Sequence, residues 1–214
     1  MTIKNIKKPA FFFHIAFVLF LCSCFGMSMD IELRQNGSGT LSLEYRISKS
    51  LDSLGKLDGN ERWNTIPVGR SDFERTISRL PDIKLVSFSS KEDQKDVIIS
   101  AKLEFSSIKG LLAFIDAGGQ RSSFSGDARS GSLVLTLSEG SQNIDADLLK
   151  LIENVSSSYS VKMGMSFPGD GTLSILDNNG RALEAPKRDK KVSCSFPLYS
   201  ILSSANGINA ELKW

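Results

Sequence analysis

Hydrophobic alternation with a period of two, broken by glycine-containing turns, constrains this chain more than any other feature. Ile31 and Leu33 alternate with polar neighbours, Asn36-Gly37-Ser38-Gly39 follows, and Leu41, Leu43, Tyr45 and Ile47 alternate again. Successive side chains of a strand point to opposite faces, so such a run makes a strand with one apolar and one polar face. Two runs around Asn-Gly predict a β-hairpin. The pattern returns at Ile99, Ala101, Leu103 and Phe105, at Leu133, Leu135 and Leu137, and at Tyr159, Val161, Met163, Met165 and Phe167. Leu173 and Ile175 lead into Asp177-Asn178-Asn179-Gly180, a second hairpin turn. Weaker strand patterns lie at Lys84 to Ser90, Gln120 to Ser125, Lys191 to Phe196 and Ile208 to Trp214.

Helical spacing separates these strands. Ser71-Asp72-Phe73-Glu74 reads as a capping box, in which Ser71 and Glu74 satisfy each other's free amides. Phe73, Ile77 and Leu80 then share one face, and Pro81 stops the helix. Ser106 or Ser107 caps a segment with Ile108, Leu111, Leu112 and Ile115, ended by Gly118-Gly119. Asp145 opens a third helix through Leu148, Leu149, Ile152 and Val155. Leu198 to Ser204 is a short fourth one, and Ser48 to Leu57 a weak one interrupted by Gly55. Together these predict an α+β fold: a mostly antiparallel sheet built from hairpins, with helices packed on one face. The order helix, strand, strand, helix occurs in 71–117 and again, with an added hairpin, in 145–204. Duplication and ordinary α+β alternation both account for it.

The N-terminus carries an address. Lys4, Lys7 and Lys8 precede the apolar run Pro9 to Leu21. A basic segment followed by a short apolar core has the form of a secretion signal. The run ends in Leu21-Cys22-Ser23-Cys24, which resembles the bacterial lipobox, with Leu21, Ser23 and Cys24 at its three places. The resemblance implies a lipoprotein signal peptide over 1–23, a tether over 24–28 and a single α+β domain over 29–214. It also implies lipid attachment at Cys24, by a diacylglyceryl group and usually a further acyl chain such as palmitate. Two or three chains anchor stably where one is marginal. The protein is then exported and lipid-anchored to a bacterial membrane, at the periplasmic face, the outer membrane or the cell surface. The alternatives are an uncleaved anchor over Ala10 to Met29, just long enough to span, and cleavage to a soluble exported form.

Removing the signal changes the chemistry available. Losing Lys4, Lys7 and Lys8 leaves 23 of 26 basic residues against 24 acidic ones and moves the net charge from +2 to −1. A near-neutral chain has no electrostatic drive toward nucleic acid. The single histidine, His14, lies inside the signal. Without it, Ser-His-Asp and Cys-His catalysis and histidine-ligated metal sites are excluded from the mature domain. With Cys22 removed and Cys24 acylated, Cys194 has no partner for an intramolecular disulfide. Its strand setting suggests a small buried hydrophobe, the alternative being a reactive or intermolecular thiol.

The remaining candidates each have a plain alternative. Lys187, Arg188, Lys190 and Lys191 can contact anionic head groups, or form a solvated hairpin loop. Asp170 and Asp177 suggest calcium, but the six or more oxygen ligands of such a site are not spaced here, and two turns explain them. Ser53-Leu54-Gly55-Lys56 has the spacing of a Ser–Lys nucleophile pair, as expected by chance in a chain rich in both residues. Ser48-Lys49 and Ser90-Lys91 are merely adjacent. Trp63 and Trp214 are ligand anchors or core residues, with Trp214 completing a strand. No cofactor motif is present, since neither standard phosphate-binding glycine loop occurs.

Asp30-Ile31-Glu32-Leu33 and Gly37-Ser38-Gly39-Thr40-Leu41, close behind the lipobox, resemble the LppM-type domain of bacterial lipoproteins. That resemblance implies binding of envelope lipids or partners and not catalysis. The sequence therefore points to a non-enzymatic envelope lipoprotein that binds a protein partner or lipid. A structural or assembly module and a histidine-free hydrolase are the alternatives.

Overall fold

A computed structural model of the chain describes residues 25–49, 67, 69–116, 119–138, 145–156, 158–177, 182–184, 187–188, 190–204 and 207–214. Cys24, Trp63, Gly118, Ser53-Leu54-Gly55-Lys56 and all but the start of the weak helix at Ser48 to Leu57 lie outside the described residues. The strands are β1 (Phe25–Leu33), β2 (Gly39–Ser48), β3 (Ile83–Glu92), β4 (Asp96–Phe105), β5 (Ser122–Gly126), β6 (Gly131–Ser138), β7 (Ser160–Ser166), β8 (Thr172–Asp177), β9 (Ala182–Glu184), β10 (Lys187–Arg188), β11 (Lys191–Pro197) and β12 (Ile208–Lys213). The helices described are α1 (Arg70–Ile77), α2 (Ile108–Ile115), α3 (Ala146–Ser156) and α4 (Leu198–Leu202).

The α+β, mostly antiparallel class holds, but the strands form two sheets where the sequence suggests one. The larger runs β10-β11-β7-β1-β2-β4-β3 and the smaller β5-β6-β12-β8-β9. Every pairing is antiparallel except β1 with β7. The chain leaves the large sheet after β7, makes the β8–β9 hairpin in the small one, and returns through β10 and β11. Alternation tells a strand which face to bury but not which sheet to join.

The two hairpins read from the turns are present. β1 meets β2 from Phe25 opposite Ile47 to Leu33 opposite Gly39. Gly37 sits at φ 82°, a left-handed conformation that glycine adopts without strain. The Asn36 side-chain oxygen accepts from the Ser38 amide at 3.1 Å and from its hydroxyl at 2.7 Å, bracing the loop. β8 and β9 pair from Ser174 opposite Glu184 to Leu176 opposite Ala182.

Helix α1 begins earlier than its sequence box suggests. The Gly69 amide donates to the Asp72 carboxylate at 2.9 Å, and Glu74 instead lies 3.6 Å from Arg70. Several polar side chains crowd this first turn, and the one nearest the free amide takes the capping role. Phe73 from this helix is fully buried, its ring 5.7 Å from that of Phe88 on β3. In α2 the expected cap forms, with Ser107 Oγ accepting from the Gly110 amide at 3.0 Å.

Each sheet turns one apolar face into a shared core. Ile31, Leu41, Ile99 and Leu103 of the large sheet and Leu133, Leu173, Ala210 and Leu212 of the small one are at most 1% exposed and belong to one cluster. The segments 71–117 and 145–204 place their strand pairs at opposite sides of the β1–β2 hairpin. β4, the second strand of its pair, is the inner one on one side, and β7, the first of its pair, on the other.

Candidate functional site

The alternate residues of the same strands build the other face of the large sheet. Ser193, Gly164, Asp30, Ser42, Lys102 and Ser87 lie in register across six strands. In the next row Lys162, Ser28, Glu44, Ser100 and Ser89 repeat the mixture of hydroxyls with single charges. Serine side chains are short and leave the backbone approachable, so the face is shallow and rich in hydrogen-bonding groups.

Two grooves cross it. One of about 440 Å³ lies mid-sheet, lined by Ser28, Asp30, Ser42, Glu44, Ser100 and Lys102. The other, about 410 Å³, lies at the end where β1 begins and includes Gly26, Arg46, Lys95, Asp96, Tyr159 and Lys162. A separate hollow of about 820 Å³ beside α1 and α2 has Arg75 and Arg79 around Leu80 and Leu112.

Charges on the face are partly matched. Lys191 bonds Asp30 across Gly164, where an added Cβ would lie 3.1 Å from the Asp30 carboxylate. Arg46 is 3.6 Å from Asp93, and Lys49 is 3.3 Å from Glu92. Asp96, only 8% exposed, accepts from the Tyr159 hydroxyl at 3.4 Å. Amides of Asp96 and Lys95 donate to the Asp93 carboxylate and hold it below its usual range.

The residues singled out by sequence are scattered. Lys187 and Arg188 form β10, and Lys190 and Lys191 follow as exposed residues at the end of the sheet opposite the start of β1. Asp170 is exposed in the turn after β7 and Asp177 closes β8. Among the described residues no three His, Cys, Asp or Glu side chains come together to hold a metal. Ser90 and Lys91 are exposed on β3. Cys194 is half-buried opposite Met163, and burial pushes its thiol above the usual range, which makes it a poor nucleophile. Trp214 packs at the end of β12, the central strand of the small sheet, stacked on Phe124 at 5.9 Å and Phe167 at 5.7 Å. Edge strand β3 carries a bulge between Leu85 and Ser87 and lysines at 84 and 91, features that discourage strand addition.

The open face itself was not among the sequence candidates. Its signal was the polar half of each alternating run, which by itself only says "solvent".

The fold thus defines an α+β domain of mostly antiparallel sheets. No family model matches the chain, and no curated protein matches it. Among solved structures it is similar to the NMR structure of the folded domain of LppM from Mycobacterium tuberculosis, with 12% identity and a TM-score of 0.43 over 89% of this chain and 90% of that one. Among the described residues no helix is long and apolar enough to cross a membrane.

Proposed function

We propose that this is a lipid-anchored envelope protein, held at a bacterial membrane by acylated Cys24, that acts by binding and not by catalysis. Its ligand is an envelope protein partner or lipid. In this reading the helices and the small sheet lie on the apolar side of the large sheet, and the polar side is the docking face. The observation that supports it most is that face: six strands in register present hydroxyls and single charges around two shallow grooves. A non-obligate interface as a whole is about as polar as the rest of a protein surface, with direct hydrogen bonds and bridging water fixing the pose.

Mass spectrometry of the native N-terminus combined with photocrosslinking in the intact envelope tests it. A photoreactive residue at Ser42 or Ser100 should give a discrete adduct, and one at Lys213 on the small sheet should not. An unmodified Cys24, or equal adducts from all three positions, overturns the proposal.

A further inference from the structure

Where the chain leaves the membrane decides which part of the domain can touch it. Gly26 is two residues after Cys24, and a chain spans at most about 3.6 Å per residue, so its Cα lies within about 7 Å of the Cα of Cys24. Gly26 already belongs to β1 and lines the 410 Å³ groove at that end of the sheet. The half-buried ring of Tyr159 lies over it, at 3.4 Å from where a Cβ on Gly26 would be.

The same groove holds Arg46, Lys95 and Lys162. Lys95 and Lys162 are exposed and make no ion pair among the described residues. Arg46 is shared with Asp93. The carboxylates of the groove are Glu44 and Asp96, and Asp96 is buried beneath the Tyr159 hydroxyl. Surface potentials decay over about 8 Å at physiological salt, so groups beside Gly26 lie inside the field of a bilayer holding Cys24. Tyrosine favours that same zone because its ring is apolar and its hydroxyl wet.

The Lys187 to Lys191 run lies elsewhere. Lys191 is in register with Ser166, which pairs with Glu32, seven residues along β1 from Phe25. At roughly 3.3 Å per residue that is about 23 Å away, nearly three screening lengths.

We infer that the end of the large sheet where β1 begins rests on the bilayer that holds Cys24, with Lys95 and Lys162 meeting the phosphates of anionic phospholipids. The inference rests on the proposed acylation. It moves head-group contact from Lys187, Arg188, Lys190 and Lys191 to the opposite end of the sheet. It also stands the strands upright on the membrane, with the mid-sheet groove open to the envelope space.

Lysine footprinting of the full processed protein in vesicles tests this. Amine-reactive labelling of Lys95 and Lys162, read by peptide mass spectrometry, should be about fivefold slower in phosphatidylglycerol vesicles than in phosphatidylcholine ones. The protection should vanish at 0.5 M salt, as expected for a contact with screening lengths of a few Å (roughly 4 Å). Lys190 should label equally in both. An acylated protein whose Lys95 and Lys162 label equally in the two vesicles, or whose Lys190 is the protected residue, overturns this inference alone. A native chain whose intact mass shows no lipid on Cys24 overturns the anchored reading and this inference with it.

Discussion

The two sheets use the same alternation but are held together in different ways. The large sheet is centred on strands that neighbour one another in sequence: β1 pairs with β2, and β3 with β4, over nine or ten residues each. The small sheet consists of two hairpins, β5–β6 and β8–β9, that meet only through β12 at the end of the chain. β12 pairs with β6 from Ile208 opposite Ser138 and with β8 from Ile208 opposite Asp177. One sheet can start from local contacts, and the other closes only when the last strand arrives.

Ending the chain after Gly207 should break this difference most visibly. It removes Ala210 and Leu212, which are at most 1% exposed, and leaves β6 and β8 without their shared partner. A loss on the order of 5 kcal/mol or more is expected, comparable with the whole stability of a domain. Urea denaturation followed by circular dichroism should show no cooperative transition, and an unchanged midpoint would show that β12 is dispensable.

Single core truncations sharpen the contrast. Ile99→Ala in the large sheet and Leu212→Ala in β12 should each cost about 3 kcal/mol, since both side chains are almost fully enclosed. Stopped-flow kinetics should separate them. Ile99→Ala slows refolding because the local strand pairs form early, and Leu212→Ala mainly speeds unfolding. The reverse assignment would place nucleation in the small sheet.

The end of the inner strand pair β6–β12 has a tighter requirement. Gly131 exchanges backbone hydrogen bonds with Trp214, at 2.9 and 3.0 Å. A Cβ there would lie 2.7 Å from the indole and 2.8 Å from the Asp127 carbonyl. Gly131→Ala should cost about 1–3 kcal/mol and shift the tryptophan emission as the stack with Phe124 and Phe167 loosens. Unchanged emission would mean that this strand end yields freely.

Acid gives the mildest and most distributed effect. Asp82 takes the hydroxyls of Ser106 and Ser107, Asp93 the amides of Asp96 and Lys95, and Asp127 the amides of Arg129 and Ser130. Each is held below its ordinary value of 3.8 by these bonds to the charged form. The stability they contribute is fully present above pH 3.8 and is lost as pH falls through the lower folded values. The thermal midpoint should drop below that pH, and Asp93→Asn should flatten the part of the drop that belongs to the β3–β4 turn. A slope unchanged by Asp93→Asn would remove that turn from the account.

Much of the secondary structure was legible. The strands β2, β4, β6 and β7 follow the alternation almost residue by residue, because a half-buried strand needs one apolar side. In contrast, β1 was legible only around Ile31 and Leu33 and also takes in residues 25–28, read as a tether. Ser107 could be read as a cap because only a short oxygen-bearing side chain closes on the amide three residues later. The box at Ser71 and Glu74 was misplaced because the same residue types stand at several neighbouring positions and only the folded backbone selects among them. The candidate site was least legible, since a polar residue in a strand looks the same whether its face is solvated or docked.

The sequence by itself determined most of the elements, which face of the regularly alternating strands is buried, and that a lipobox-like segment precedes them. These follow from local geometry and from the cost of exposing apolar surface, both of which act over a few residues. The tertiary structure alone decided that there are two sheets, that β1 pairs in parallel with a strand more than a hundred residues away, and that the cations of 187–191 lie at the end of the sheet opposite the start of β1. Pairing partners and distances across a sheet depend on contacts between remote segments. Period-two patterning, identical in every strand, carries no information about which strands will meet.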